Sequence, residues 1–354
     1  MISPGRSIEM DSPRGADMIV EGTILRGRSF DPVEGRVVLD GGEIAAIEEA
    51  PVDSDSIVLP AFVNAHTHIG DSIAKDAGAG LSLEELVAPP DGLKHRLLRT
   101  ASRDRLVTGM RRTIRFMQRS GTGLFLDFRE GGISGVDALN EAARGAEVES
   151  LILGRGDPAV LEHSDGYGAS GAADGEFGSA RRAAAAADKL FGIHAGEVGP
   201  GDINPALDLD PDFLVHMVTA DPVHLERVAD SETPVVVCPR SNMATGVGLP
   251  PIKDLLEHTT VALGTDNVML SNPSMFREMA FVEALTDCTA ETVLGMATWG
   301  GATVADRQCG TISEGNAAKL LVLDGDSDNL ANSQDLVRGI VRRAGVSDVE
   351  HVIL

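Results

Sequence analysis

Cysteine occurs only three times in 354 residues, at Cys238, Cys288 and Cys309, with no CxxC spacing. That excludes a disulfide scaffold and a cysteine-rich metal knuckle, and leaves the three as small buried residues. No apolar run approaches the ~20 residues that a membrane-crossing helix needs. The opening MISPGRSIEMDSPRGAD contains nothing like the hydrophobic stretch of a signal peptide. The expectation is a soluble, cytoplasmic protein without a membrane partner. Lysine is confined to Lys75, Lys94, Lys189, Lys253 and Lys319, so arginine supplies 25 of the 30 positive charges. Aromatic residues make up 3%, with one Trp and one Tyr.

What is abundant is acid. The 54 Asp and Glu residues give a formal charge of −24, which repels polyphosphate, so nucleic acid is excluded as a partner. An acidic, lysine-poor surface suits a salt-filled cytoplasm, because carboxylates stay hydrated while salt screens their mutual repulsion. A halophilic source is expected.

Residues 18–58 read as short strands (MIVEGTILRG, RVVLDGG, EIAAIEEA) separated by glycine turns. The stretch 309–354 has the same β character, including LVRGIVRRAG. The expected organisation is a small β-sandwich domain formed by both termini, residues 1–58 and 309–354, around residues 59–308. That central span, 250 residues long, has the length of a (β/α)8 barrel. Strands are expected at 61–68, 122–128, 150–155, 190–195, 213–217, 234–238 and 260–266, with the fourth assigned to PAVLEHSDG. The fold class is therefore α/β, a TIM barrel with a small β domain.

Four of the nine histidines, His66, His68, His194 and His216, fall in or at the ends of these strands. In a barrel such ends share one face. His66 and His68 lie two apart on a strand and point the same way, so both can reach one ion. An HxH pair alone is equally a surface or core coincidence. The company sharpens it: GIHAGE sets Glu197 three residues after His194, and ALGTDN ends the last strand at Asp266. Three imidazoles and a carboxylate suit Zn²⁺ or Fe²⁺. Such an ion brings the pKa of water toward ~7. An unligated carboxylate such as Glu197 can then shuttle protons, though as a loop acid it could also be merely solvated.

The motifs AFVNAHTHIGD, GIHAGE, VHMV, VVCPRSNMATG and ALGTDNVMLSNPSMFREM, in this order, resemble the amidohydrolase superfamily. The likeness is to its aminohydrolase branch of cytosine and guanine deaminases, chlorohydrolases and S-adenosylhomocysteine and methylthioadenosine deaminases. GATVADRQCGTISEGNAAKLLVLD matches the way those chains return to the small β domain. The resemblance implies His66, His68, His194 and Asp266 as metal ligands and Glu197 as proton shuttle. It implies His216 as the group that orients the attacking water or polarises the atom attacked, and Asp266 as acceptor of the water's proton. Two-metal relatives bridge their ions with a strand-four lysine. No lysine lies between Lys94 and Lys189, so one divalent metal is implied, Zn²⁺ first and Fe²⁺ second. Self-association is common among relatives, and a homo-oligomer follows only by that analogy.

The implied reaction on a small-molecule substrate is deamination of a nucleobase-like or other amino-heterocycle with release of ammonia. The alternatives are hydrolysis of a cyclic amide, chlorinated ring or guanidine carbon by the same site, or an inactive barrel kept for binding. Arg129 and Glu130, after the second strand, either read a polar ring or pair with each other to hold a loop. Asn242, with Arg240 in CPRSN, is a further candidate substrate contact, and Arg155, Asp157, His163 and Asp165 are weaker ones. With one Trp and one Tyr, stacking on a base falls to a phenylalanine, such as Phe128 or Phe177, or to an arginine.

Overall fold

The computed structural model describes residues 18–88 and 90–354. Strands β1 (Met18–Arg26), β2 (Asp31–Asp40), β3 (Glu43–Glu49) and β4 (Ser56–Pro60) come first. They are followed by β5 (Phe62–His68), β6 (Thr122–Arg129), β7 (Glu149–Gly154), β8 (Gly166–Ala169), β9 (Leu190–Ala195), β10 (Phe213–His216), β11 (Val235–Val237), β12 (Val261–Leu263) and β13 (Asp266–Asn267). β14 (Leu320–Asp324) and β15 (Val349–Ile353) complete the set.

β5 to β13 form one nine-stranded parallel sheet in the order β12-β11-β10-β9-β8-β7-β6-β5-β13. Its two edges come from one short segment, because β12 pairs with β11 and β13 with β5. Between them, Gly264 N–H donates to Val237 O at 2.9 Å and Thr265 N–H to His66 O at 3.0 Å. The sheet is thus curled, and the mixed α/β architecture is consistent with a TIM-like fold. Strands such as β5 and β6 are buried at every position, as expected where helices cover one face and packed side chains fill the other. Val63, Leu124, Phe128, Phe213 and Ala262 belong to one inner cluster. The helix Arg103–Arg119 shows how the outer layer forms. Ser102 caps its start, and Val107, Met110, Ile114 and Met117 repeat at helical spacing to make its buried stripe.

The second sheet has six strands in the order β15-β14-β4-β1-β2-β3, so both terminal segments meet in it. Here β1 and β2 alternate between buried and more exposed residues, the mark of a half-covered antiparallel sheet.

Two expectations need correction. The fourth strand of the curled sheet is Gly166–Ala169; Pro158–Glu162 is a 3-10 turn that Asp157 caps through the Ala159 N–H. β8 carries no hydrophobic signature because it is packed too closely for one: a Cβ on Gly168 would lie 2.6 Å from the Phe128 ring. LVRGIVRR, expected as strand, is the helix Leu336–Arg343, capped by Asp335. It packs against the helices Met275–Leu285 and Ala290–Met296. Among the described residues no helix is long and apolar enough to cross a membrane. All three cysteines are free, Cys238 and Cys309 buried and Cys288 half-buried.

Candidate active site and metal centre

The ends of β5, β9, β10 and β13 bring together the residues singled out by sequence. His66 and His68 leave β5 on one face, and β13 lies alongside with Asp266 opposite Thr67. β9 and β10 are in register so that His194 pairs with Val215 and His216 with Ala195. Both His216 (φ 82°) and Asp266 (φ 56°) have left-handed backbone, which is unusual for a residue with a side chain.

The donor atoms converge. His66 Nε2 lies 3.3 Å from His194 Nε2 and 3.4 Å from Asp266 Oδ1, and His68 Nε2 lies 3.5 Å from the same oxygen. Three overlapping groups, His66-His194-His216, His66-His68-Asp266 and Glu197-His216-Asp266, each keep ligand atoms within 4.8 Å of one another. Ligands about 2.0–2.1 Å from a tetrahedral ion are about 3.3–3.4 Å apart, so the spacing is that of a coordination sphere.

Hydrogen bonding sets the tautomers. His194 Nδ1–H donates to Ala169 O at 2.8 Å. His68 Nδ1 faces two acceptors, Phe128 O at 2.9 Å and Glu130 Oε1 at 3.0 Å. Both rings therefore present a bare Nε2 to the centre. His216 is reversed: the Asn242 amide donates to its Nδ1 at 3.1 Å, leaving the proton on Nε2, 3.6 Å from Glu197 Oε2. His66 Nδ1 is buried without a partner.

Charge follows from burial. Burial lowers the pKa of His66 and takes that of His194 well below its usual range. Burial, and then the charge of Lys94, brings that of His68 down to about 3, so the imidazoles are neutral at neutral pH. Burial pushes Asp266 up, but the His66 hydrogen bond and the nearby histidines outweigh it and hold the carboxyl well below the usual range. Neutral imidazoles and an ionised carboxylate are the protonation states that bind a divalent metal. Glu197 goes the other way, with burial raising its pKa.

The remaining sequence candidates lie in the surrounding network. Arg129 is 2% exposed, its guanidinium against Gly70 and paired with Asp127 (3.3 Å) and Glu130. Arg155 Nη1 lies 3.6 Å from Glu130 Oε1 and lines a cleft of about 480 Å³ together with Tyr167 and Phe177. Phe128 is buried beneath the imidazoles, its ring 4.7 Å from His66 and 5.1 Å from His194. In CPRSN, Arg240 pairs with Glu278 (2.7 Å), Ser241 Oγ donates to Asp266 Oδ2 (2.5 Å) and Asn242 holds His216. His163 pairs with the surface Asp137, and Asp165 accepts from Ile152 N–H. Lys189 is occupied by the carbonyls of Leu161 and Ser164.

Sequence reasoning missed Lys94, Ser241 and Asn267. Lys94 alone of the five lysines is buried, and the chain's scarcity of lysine was the only available signal.

The amidohydrolase family profile matches residues 57–209 and 146–349. A Methanothermobacter thermautotrophicus protein provisionally named an aminohydrolase is 36% identical over 353 residues, 87% of this chain and 91% of its own length. A 5-methylthioadenosine/S-adenosylhomocysteine deaminase of Halobacterium salinarum is 28% identical, over 94% of this chain and 90% of its own. Among solved structures, atrazine chlorohydrolase from Arthrobacter aurescens TC1 complexed with zinc superposes with a TM-score of 0.80 at 17% identity, over 95% of this chain and 93% of that one. With a family match across the curled sheet and a His/Asp group able to hold a metal at its strand ends, the chain belongs to the amidohydrolase family and is a hydrolase of C–N bonds.

Proposed function

We propose that the protein is a single-metal aminohydrolase that removes the amino group from a small amino-heterocycle as ammonia. In this reading His66, His68, His194 and Asp266 hold one divalent ion, zinc ahead of iron. The observation that carries it is the 3.3–3.5 Å spacing of donor atoms from these four residues. When bound, the ion would supply a water whose pKa is lowered toward ~7.

The chain's own groups do the rest. Asp266 takes the water's proton. Glu197, its pKa raised by burial, carries a proton to the ring nitrogen beside the amino-bearing carbon, which makes that carbon electrophilic. The same carboxyl, now ionised, takes the proton of the added hydroxyl and passes it to the amine, which departs as ammonia, and the proton held by Asp266 then restores Glu197. His216, with its proton on Nε2, donates to the oxygen that adds to the carbon. Arg129, Glu130 and Asn242 serve this chemistry by orienting His68 and His216, and any direct substrate contact they make is secondary.

A free base or similarly small ring is favoured over a nucleoside. Phe128 is committed beneath the imidazoles, leaving Tyr167 and Phe177 as the aromatics that line the cleft beside Arg155. The deaminase named among the relatives supports the amino-purine end of this class.

We read the curled sheet as a closed (β/α)8 barrel over 59–308, supported by both its edges lying within residues 261–267. The terminal segments 1–58, of which residues 1–17 lie outside the described residues, and 309–354 are read as a small β-sandwich, supported by a separate core containing Val20, Ile24, Val37, Val58, Leu320 and Val322.

The test is ammonia release from amino-purines, pyrimidines, pterins and triazines in high salt with added Zn²⁺ or Fe²⁺. Release from none of the four classes by metal-loaded protein would refute the deaminase assignment. Full activity and an unchanged Tm without salt would refute the halophilic one.

A further inference from the structure

Lys94 lies on the helix Leu93–Thr100, outside the curled sheet, yet it is 2% exposed. Its ammonium reaches two groups, Glu130 Oε1 at 2.6 Å and Asn267 Oδ1 at 2.9 Å. Each of these touches a different member of the donor set. Glu130 Oε1 lies 3.0 Å from His68 Nδ1, and Asn267 Nδ2 donates to Asp266 Oδ1 at 2.9 Å. One buried charge is thus joined, through one intermediate on each side, to donors on β5 and β13.

Neutralising Glu130 does not account for this. A buried carboxylate needs a counter-charge, but Arg129 already pairs with Glu130, and Arg155 Nη1 is 3.6 Å away. What Lys94 adds is the joint to Asn267. That joint matters because β13 is two residues long and has only two register pairs with β5, so its own ladder does little to fix Asp266.

We infer that Lys94 is a positioning residue of the metal centre. It ties Glu130 to Asn267 so that His68 Nε2 and Asp266 Oδ1 stay 3.5 Å apart across the seam between β5 and β13. The inference rests on the metal site proposed above and adds a residue to it.

Cobalt(II) added to metal-stripped protein is the probe, since chelator competition reads its affinity and its visible absorption reads ligand geometry. Lys94→Met keeps most of the stem and removes the ammonium. Its cobalt dissociation constant is expected to rise roughly 10–100-fold, the usual effect of losing an outer-shell partner. The absorption should change, while the far-UV circular dichroism and Tm of the metal-free protein stay as in the parent. Glu130→Gln should weaken cobalt similarly, and the double variant should lose less than the product of the two single losses. If Lys94→Met does not fold, Lys94→Gln, which can still donate to Asn267, should give the same change in smaller measure. A folded Lys94 variant with unaltered cobalt affinity and absorption overturns the inference, and strictly multiplicative losses overturn the route through Glu130. Failure of the parent protein itself to take up cobalt stoichiometrically would instead overturn the metal site.

Discussion

On the β5 and β13 side of the site, His66, His68 and Asp266 are each at most 3% exposed, with Glu130 at the outer nitrogen of His68 and Ser241 and Asn267 donating to the carboxylate of Asp266. On the β9 and β10 side, Glu197 keeps 22% of its side chain exposed and has His216 Nε2 3.6 Å away. In the proposed reading His68 and Asp266, like His194 with its Ala169 carbonyl, have their outer atoms fixed, as groups that hold an ion at fixed distances have to. Glu197 is looser, as a group that must change partners while carrying a proton has to be.

The contrast can be broken by substitution. The largest effect is expected from Asp266→Ala, which should empty the site and bring turnover to background; metal analysis showing parent-like content would put the holding groups elsewhere. Glu197→Gln should keep the metal and lower kcat by roughly 10²–10⁴-fold, the usual worth of a general acid-base. Metal loss in that variant, read by the same analysis, would erase the distinction between Glu197 and the holding groups. Asn242→Ala removes one hydrogen bond of about 1.4 kcal/mol and should reduce kcat about tenfold by freeing the His216 ring, with metal content unchanged. A steady-state assay giving a raised KM and unaltered kcat would make Asn242 a substrate contact rather than a support for His216.

Much of the arrangement was legible in sequence because its signals are local. Seven strands of the curled sheet could be read from apolar runs, and the four proposed metal-binding residues stand at or near the ends of such runs, at His66, His68, His194 and Asp266. What could not be read depends on tertiary approach. Gly166–Ala169 has too few side chains to show a pattern, since Gly168 lies against the Phe128 ring and Gly166 against the Leu190 carbonyl. The last strand is interrupted at Gly264 and Thr265, and Gly264 lies so close to β5 that a Cβ there would be 2.8 Å from that of His66. LKHRLLRT has the look of a solvated helix, and only the fold turns Lys94 inward to Glu130 and Asn267. The choice for Arg129 and Glu130 between reading a ring and pairing with each other required coordinates for the same reason.

The six-stranded sheet has a consequence for how the polypeptide is made. β4, which leads directly into the histidine-bearing β5, lies between β1 and β14, and the Ala61 N–H donates to Lys319 O at 2.9 Å. A ribosome-bound nascent chain can pair β4 with β1 early. It cannot supply the other edge until residues 320–324 have emerged, after the whole curled sheet has been translated. The strand that leads into the first two histidines therefore gains its last neighbour only after the curled sheet has been translated, and a translation product cut short before β14 would leave that edge open.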